Sequence, residues 1–132
     1  MFEVKKTGEF GEWLDALPDK MARARIQSRL LRIEVSGNLG DYKPVGDGVF
    51  ELRVDHGPGY RVYFYFEGKA VIFVVRAGDK SSQQSDIEAA KAARSKSAAA
   101  VKAAKEARKE EEKGSAVQRQ GIGKAGKRGK KR

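Results

Sequence analysis

Three cations stand among apolar and aromatic residues in the middle of this chain: Arg53, Arg61 and Lys80. Arg53 closes the run Val49-Phe-Glu-Leu-Arg, Arg61 follows Gly57-Pro-Gly-Tyr, and Lys80 ends Val74-Val-Arg-Ala-Gly-Asp-Lys. Guanidinium grips phosphate oxygens in pairs and stays charged at any physiological pH. Fixed cations of this kind suit neutralising the phosphorane that forms when an RNA 2′-hydroxyl attacks its own backbone. That reaction also needs a base for the hydroxyl proton and an acid for the leaving 5′-oxygen. Lys80 is a candidate third cation, and an amine that moves protons only where neighbouring arginine charges make it easier to deprotonate.

Four further residues are candidates around them. His56, in the loop before Gly57-Pro-Gly, is a possible acid or base, or a turn residue. Lys43, expected in a loop after Gly40-Asp-Tyr, can reach the same face. Tyr60 and Tyr63 can stack on a splayed base, as single-stranded RNA readers do, or pack beside the core. The cations have plain readings too: an arginine on an open sheet face is commonly solvated or ion-paired, and Lys80 can pair with Asp79 or Asp86. A strand-face Arg61 is expected to bury little, so that its removal costs under about 1 kcal/mol.

The elements that position these groups follow from periodicity. Phe2 to Lys6 alternates as a short strand. Phe10, Trp13, Leu14 and Leu17 recur at helical spacing, and Pro18-Asp19 ends that helix and caps the next. The second helix carries Ala22, Ile26, Leu30 and Ile33 on one stripe to about Val35, with Gly37 as its stop. Its Arg23, Arg25, Arg29 and Arg32 are expected to be solvated, the lesser reading being contact with ribosomal RNA or with an acidic partner segment. Phe50, Leu52 and Val54 share one strand face with Val62, Phe64 and Phe66, provided the hairpin loop has an odd residue count. A loop over His56-Gly-Pro-Gly-Tyr60 satisfies this with Val54 opposite Val62, which sets Arg53 across from Tyr63 and near Arg61. Val71 to Val75 is apolar throughout, as in a strand covered on both sides. The order βααβββ predicts an α+β domain with a small antiparallel sheet packed on an N-terminal helical hairpin.

Charge divides the chain. Residues 1–95 hold 15 Lys+Arg and 14 Asp+Glu, a net of +1, whereas residues 96–132 hold 13 and 4, a net of +9. Nucleic-acid contact by the folded part must therefore come from local clustering of cations rather than bulk charge. The predicted organisation is a domain over 1–94, an Ala/Lys/Glu-rich helical extension over 95–113 and a disordered basic tail over 114–132. The first turns of the last helix are expected to dock on the sheet. No Cys and one His argue against a disulfide or a transition-metal site, and no cofactor motif is visible. No apolar run suits a signal peptide or a membrane span, so a cytoplasmic home is expected.

From about residue 2 to residue 94 the chain resembles the RelE/ParE family of bacterial toxins, in its HigB-like "addiction module killer" branch. The landmarks are Trp13-Leu14, Ala22-Arg-Ala-Arg-Ile26, Gly37-Asn-Leu-Gly-Asp41, Gly48-Val-Phe-Glu-Leu-Arg53, Gly57-Pro-Gly-Tyr-Arg-Val-Tyr63 and Gly78-Asp-Lys80 with Gln83 and Asp86-Ile87. The resemblance implies a RelE-like fold and metal-independent cleavage of mRNA in the ribosomal A site. It implies a small helix-turn-helix antitoxin as partner, through which operator DNA is bound. Arg53, Arg61 and Lys80 fall where members carry basic catalytic residues. A tyrosine common in the last helix of such ribonucleases has no counterpart beyond Tyr65, which leaves the general base open. Two other function classes compete: a ParE-like gyrase inhibitor of the same fold, and a non-toxic RNA- or ribosome-binding protein acting through its tail. Retention of three converging cations argues against a pure gyrase binder.

Overall fold

The computed structural model describes residues 2–122 and orders them as β1 (Glu3–Lys6), α1 (Gly8–Ala16), α2 (Lys20–Ser36), β2 (Tyr42–Gly46), β3 (Val49–Val54), β4 (Tyr60–Glu67), β5 (Val71–Asp79) and α3 (Gln83–Ile122). A single 3-10 turn, Lys80–Ser82, joins β5 to α3. The chain divides into two compact units, Met1–Ser95 and Lys96–Arg132.

Local signals set the helix ends. Thr7 Oγ1 accepts from Phe10 N at 3.2 Å and starts α1. Asp19 Oδ1 accepts from Met21 N and Ala22 N, at 3.0 and 3.1 Å, and caps α2. Gly37 stops α2 in the left-handed region at φ +78°.

The sheet has five strands in the order β1-β5-β4-β3-β2. It is mixed rather than purely antiparallel, because β1 pairs β5 in parallel, Val4 opposite Ile72. The two helices carry the chain from β1 to β2 at the opposite edge, and the antiparallel run β2-β3-β4-β5 then brings β5 back beside β1 in the same direction. The fifth strand is β2, which the sequence reading assigned to a loop; Pro44 and the surrounding glycines hid it, and it is confined to the sheet edge as Pro requires.

Both faces of the sheet are covered. Phe10 and Leu14 of α1 with Ala22, Ile26, Leu30 and Ile33 of α2 pack on Leu52, Val54, Val62, Phe64, Ile72 and Val74. On the other face Val49, Tyr63, Tyr65 and Val75 pack against Ala90, with Ile87 and Ala93 half-buried beside them. A bulge where Tyr63 pairs Arg76 but Phe64 pairs Val74 inserts one residue into β5. It turns Arg76 towards α3 and returns Ala77 to the α1/α2 core.

The β3–β4 register differs from the expected one by two residues. Val54 pairs Tyr60, Leu52 pairs Val62, and Arg53 pairs Arg61 directly. The turn closes earlier because His56 N donates to Val54 O and Gly59 N to His56 O, both at 3.0 Å, with Gly57 and Gly59 at positive φ. An even slip keeps every side chain on its expected face.

In the second unit the helix continues to Ile122. It crosses Gly114, where a disordered tail was expected to begin: flanking Lys, Glu, Gln and Ala favour helix strongly enough to absorb the cost of one glycine, about 1 kcal/mol. The rest of that expected tail, residues 123–132, lies outside the described residues.

Candidate functional site

The strand registers place the polar groups of the α3-facing side in two adjacent rows. One row runs Lys43, Glu51, Tyr63, Arg76 across β2, β3, β4 and β5; the next holds Arg53 and Arg61, ending at Gly78. Glu51 is the hub, a fully buried carboxylate. Its Oε1 receives Arg61 Nη1 at 3.2 Å and Arg53 Nε at 3.5 Å. Its Oε2 receives the Tyr63 hydroxyl at 3.1 Å and Gln83 Nε2, from the start of α3, at 2.8 Å. A buried carboxylate is tolerated only when its lone pairs are filled in this way.

This geometry holds two guanidinium groups side by side against one negative charge. Arg53 is 40% exposed in its side chain and Arg61 16%. The Arg53 Nη groups make no hydrogen bond among the described residues, which leaves donors available on a side chain that solvent reaches. Arg61 is more buried than an open-face arginine, contrary to expectation, and is held against the buried Glu51.

Lys80 is exposed on the 3-10 turn, two residues beyond Gly78, the β5 partner of Arg61. It forms no ion pair among the described residues. Asp79 is engaged instead with Ser81 N and Oγ, at 2.8 and 2.5 Å, and the Ser81 hydroxyl and amide hold its carboxyl below the usual range. Asp86, almost fully buried, takes Arg76 Nε at 2.8 Å on Oδ1 and the Ser82 hydroxyl at 2.5 Å on Oδ2. Arg76 also reaches Glu9 of α1 at 2.6 Å, and its hydrogen bond to Asp86 raises its pKa further. Gly78 permits this closure, since a Cβ there would lie 2.0 Å from Asp86 Oδ2. Beside it opens a cleft of about 490 Å³ lined by Trp13, Tyr60, Arg76, Gly78, Asp79 and Ser85 among others.

The remaining candidates divide. Lys43 is exposed and directly cross-strand from Glu51, so it shares the arginine face, though from a strand rather than a loop. Tyr63 is fully buried under α3, and burial followed by the Glu51 charge raises its phenol well above the ordinary range. It is a neutral hydrogen-bond donor, and no base can stack on it. Tyr60 is buried on the opposite, α1/α2 side with its ring 6.1 Å from that of Trp13, and desolvation raises its pKa. His56 Nε2 lies 3.1 Å from Asp19 Oδ2 and ties the β3–β4 loop to the α2 cap, away from the arginine pair.

Of the α2 arginines expected to be solvated, Arg29 is not. It donates to Arg53 O, to Leu39 O at 2.9 Å and to Asp41 O at 3.2 Å, and burial lowers its pKa. It anchors the backbone beneath Arg53. Glu51, Gln83, Arg76 and Asp86 are the site residues that sequence reasoning did not assign. Glu51 carried a signal as a carboxylate two residues from Arg53 on the same strand face, and Gln83 and Asp86 stood among the landmarks of the family resemblance without a role.

The fold is that of a known bacterial toxin structure. A free-state structure of Escherichia coli toxin RelE, a double arginine-to-alanine mutant, superposes with a TM-score of 0.55 at 17% identity, over 70% of this chain and 96% of that one. A protein of Haemophilus influenzae described as uncharacterized is 44% identical over 89 residues, covering 67% of this chain and 89% of its own length. Residues 12–105 match the family described as phage derived protein Gp49-like (DUF891), and the chain belongs to that family.

Proposed function

We propose that this chain is the HigB-like toxin of a type II toxin-antitoxin pair, a ribosome-dependent endoribonuclease that cleaves mRNA and halts translation. The observation that carries this reading is the pairing of Arg53 and Arg61 on one buried carboxylate, Glu51. Two positive charges against one leave a net cation whose outward donors match a phosphate. Arg53 and Arg61 would bind the scissile phosphate and stabilise its added charge in the transition state. Lys80, without an ion pair among the described residues and next to that row, would neutralise the leaving oxygen or supply its proton. Lys43, in the adjoining row, would hold a neighbouring phosphate.

Tyr60, Tyr63 and His56 support this site through packing and capping rather than by touching RNA. Ribosome and mRNA would be the working partners in the cytoplasm, and an antitoxin would carry any contact with operator DNA. Inducing the chain in cells tests the function: protein synthesis stops and new mRNA ends map within coding regions. Altered DNA supercoiling with intact mRNA would instead identify a gyrase poison. Neither effect would identify a non-toxic binding protein.

A further inference from the structure

The outer face of α2 carries an apolar seam that nothing in the first unit covers. Met21, Leu31 and Val35 are 59%, 57% and 65% exposed, three of the four large hydrophobic side chains left exposed among the described residues. With Ala24 and Ser28, both exposed, they recur at spacings of three and four residues along the helix. At 3.6 residues per turn this seam lies across the helix from Ala22, Ile26, Leu30 and Ile33, which face the core. So α2 is apolar on two opposite sides, one buried and one open.

The flanks of the seam are unlike. Along one edge stand Arg25 and Arg32, both exposed, beside a cleft of about 380 Å³ that they line with Ser28, Arg29 and Asp41. Along the other stand Lys20, Gln27 and Glu34. A second copy of the chain fits poorly: antiparallel two-fold packing sets the arginine edge against itself, and parallel packing sets Lys20 beside Arg25.

We infer that the outer face of α2 is a docking surface for an amphipathic helix of a different protein, seated on Met21, Leu31 and Val35 with acidic residues along the Arg25/Arg32 edge. Burial of the seam holds such a helix, and the arginine edge fixes its register and direction. The seam lies on the α1/α2 side of the sheet, whereas the Arg53/Arg61 site lies on the α3 side. Docking there is therefore separable from RNA chemistry and stands whether or not the chain cleaves RNA.

The test uses the full chain and a fluorescent four-heptad helical peptide with leucine at its seam positions and glutamate along one edge. A companion peptide carries lysine at those edge positions. The glutamate peptide is expected to bind at about micromolar concentration and the lysine peptide at least about tenfold more weakly. Leu31→Asp and Val35→Asp, both on exposed positions that leave folding intact, are each expected to weaken the glutamate peptide about tenfold or more. Arg25→Glu/Arg32→Glu is expected to reverse the preference between the peptides, with RNA cleavage unchanged. Equal binding of the two peptides, binding indifferent to Leu31→Asp, or a concentration-dependent dimer abolished by Leu31→Asp would each overturn the inference.

Discussion

Arg53 and Arg61 stand directly opposite each other across β3 and β4, like charges in a position where they repel. Glu51 Oε1, shared between them at 3.5 and 3.2 Å, holds them there. Their removal is expected to have unequal consequences. Arg53 is half-open and its contact is long, so Arg53→Ala is expected to cost under about 1 kcal/mol of stability yet about 10²-fold or more in RNA cleavage. Arg61→Ala strips the closer, more buried partner from Glu51 and is expected to cost about 3 kcal/mol as well as activity. Arg61→Lys is the cleaner substitution, since it keeps a charge beside Glu51 but loses the guanidinium fork. Thermal unfolding and cleavage, measured on the same preparations, separate the two effects.

The hub itself predicts an order of stabilities. Tyr63→Phe leaves Glu51 short of one donor and is expected to cost about 1–3 kcal/mol. Gln83→Ala removes the donor that ties the start of α3 to Glu51, at similar or smaller cost. Glu51→Ala leaves two arginines facing each other without a counter-charge and is expected to be the most damaging, at about 3–5 kcal/mol. Urea titration of the three variants gives that order, and equal midpoints for Glu51→Ala and wild type would refute the hub.

Much of this architecture was legible in the chain. The stripe from Ala22 to Ile33, the caps at Asp19 and Gly37, and the face assignment of Leu52, Arg53, Arg61 and Val62 follow from periodicity and local chemistry. The site's closure was not. Whether Glu51 is solvated or buried depends on α3 folding back over Tyr63, a contact far along the chain. The Asp86–Gly78 approach depends on a β5 bulge that leaves no mark in the sequence. The tyrosines show the same limit: alternation puts Tyr60 and Tyr63 on opposite faces, but that each face is covered, so that both rings are buried, depends on helices packed from elsewhere in the chain.

Tyr63 and Asp19 bound the pH range of stability. The phenol of Tyr63 is raised above its unfolded value, so its contribution is full below about pH 10 and is lost as pH rises from there. Tyr63→Phe is expected to lack that alkaline decline. The carboxyl of Asp19 is lowered, first by the Ala22 amide and then by His56, so its contribution is full above about pH 4 and is lost as pH falls further. Asp19→Asn, which keeps the cap but not the charge, is expected to flatten the acid limb of a melting-temperature profile.

Gly78 is expected to be irreplaceable, whereas a helical glycine with open space around it is not. Gly78→Ala forces the added carbon into Asp86 and Ser82, which breaks the Arg76–Asp86 pair or displaces α3, at a cost of about 3 kcal/mol or more. Gly11→Ala, inside α1 with nothing within 4 Å of the new carbon, is expected to stabilise by about 0.5–1 kcal/mol. Calorimetry on the pair checks the sign as well as the size.

Removal of residues 96–132 is expected to leave the melting temperature of the first unit nearly unchanged, because its own cores are closed by Ala90, Ile87 and Ala93. The same truncation deletes 13 Lys+Arg against 4 Asp+Glu. It is therefore expected to weaken RNA binding and to flatten its dependence on salt. A fall of several degrees in melting temperature would show that the extension stabilises the domain.

The most direct measurement is single-turnover cleavage of a defined mRNA on programmed ribosomes by wild type and Arg53→Ala, with both proteins shown to melt alike. The arginine-pair mechanism predicts discrete cuts within the A-site codon by wild type and a loss of about 10²-fold or more in rate for Arg53→Ala. Cleavage by folded Arg53→Ala at the wild-type rate, or intact mRNA with wild type at saturating protein, would contradict it.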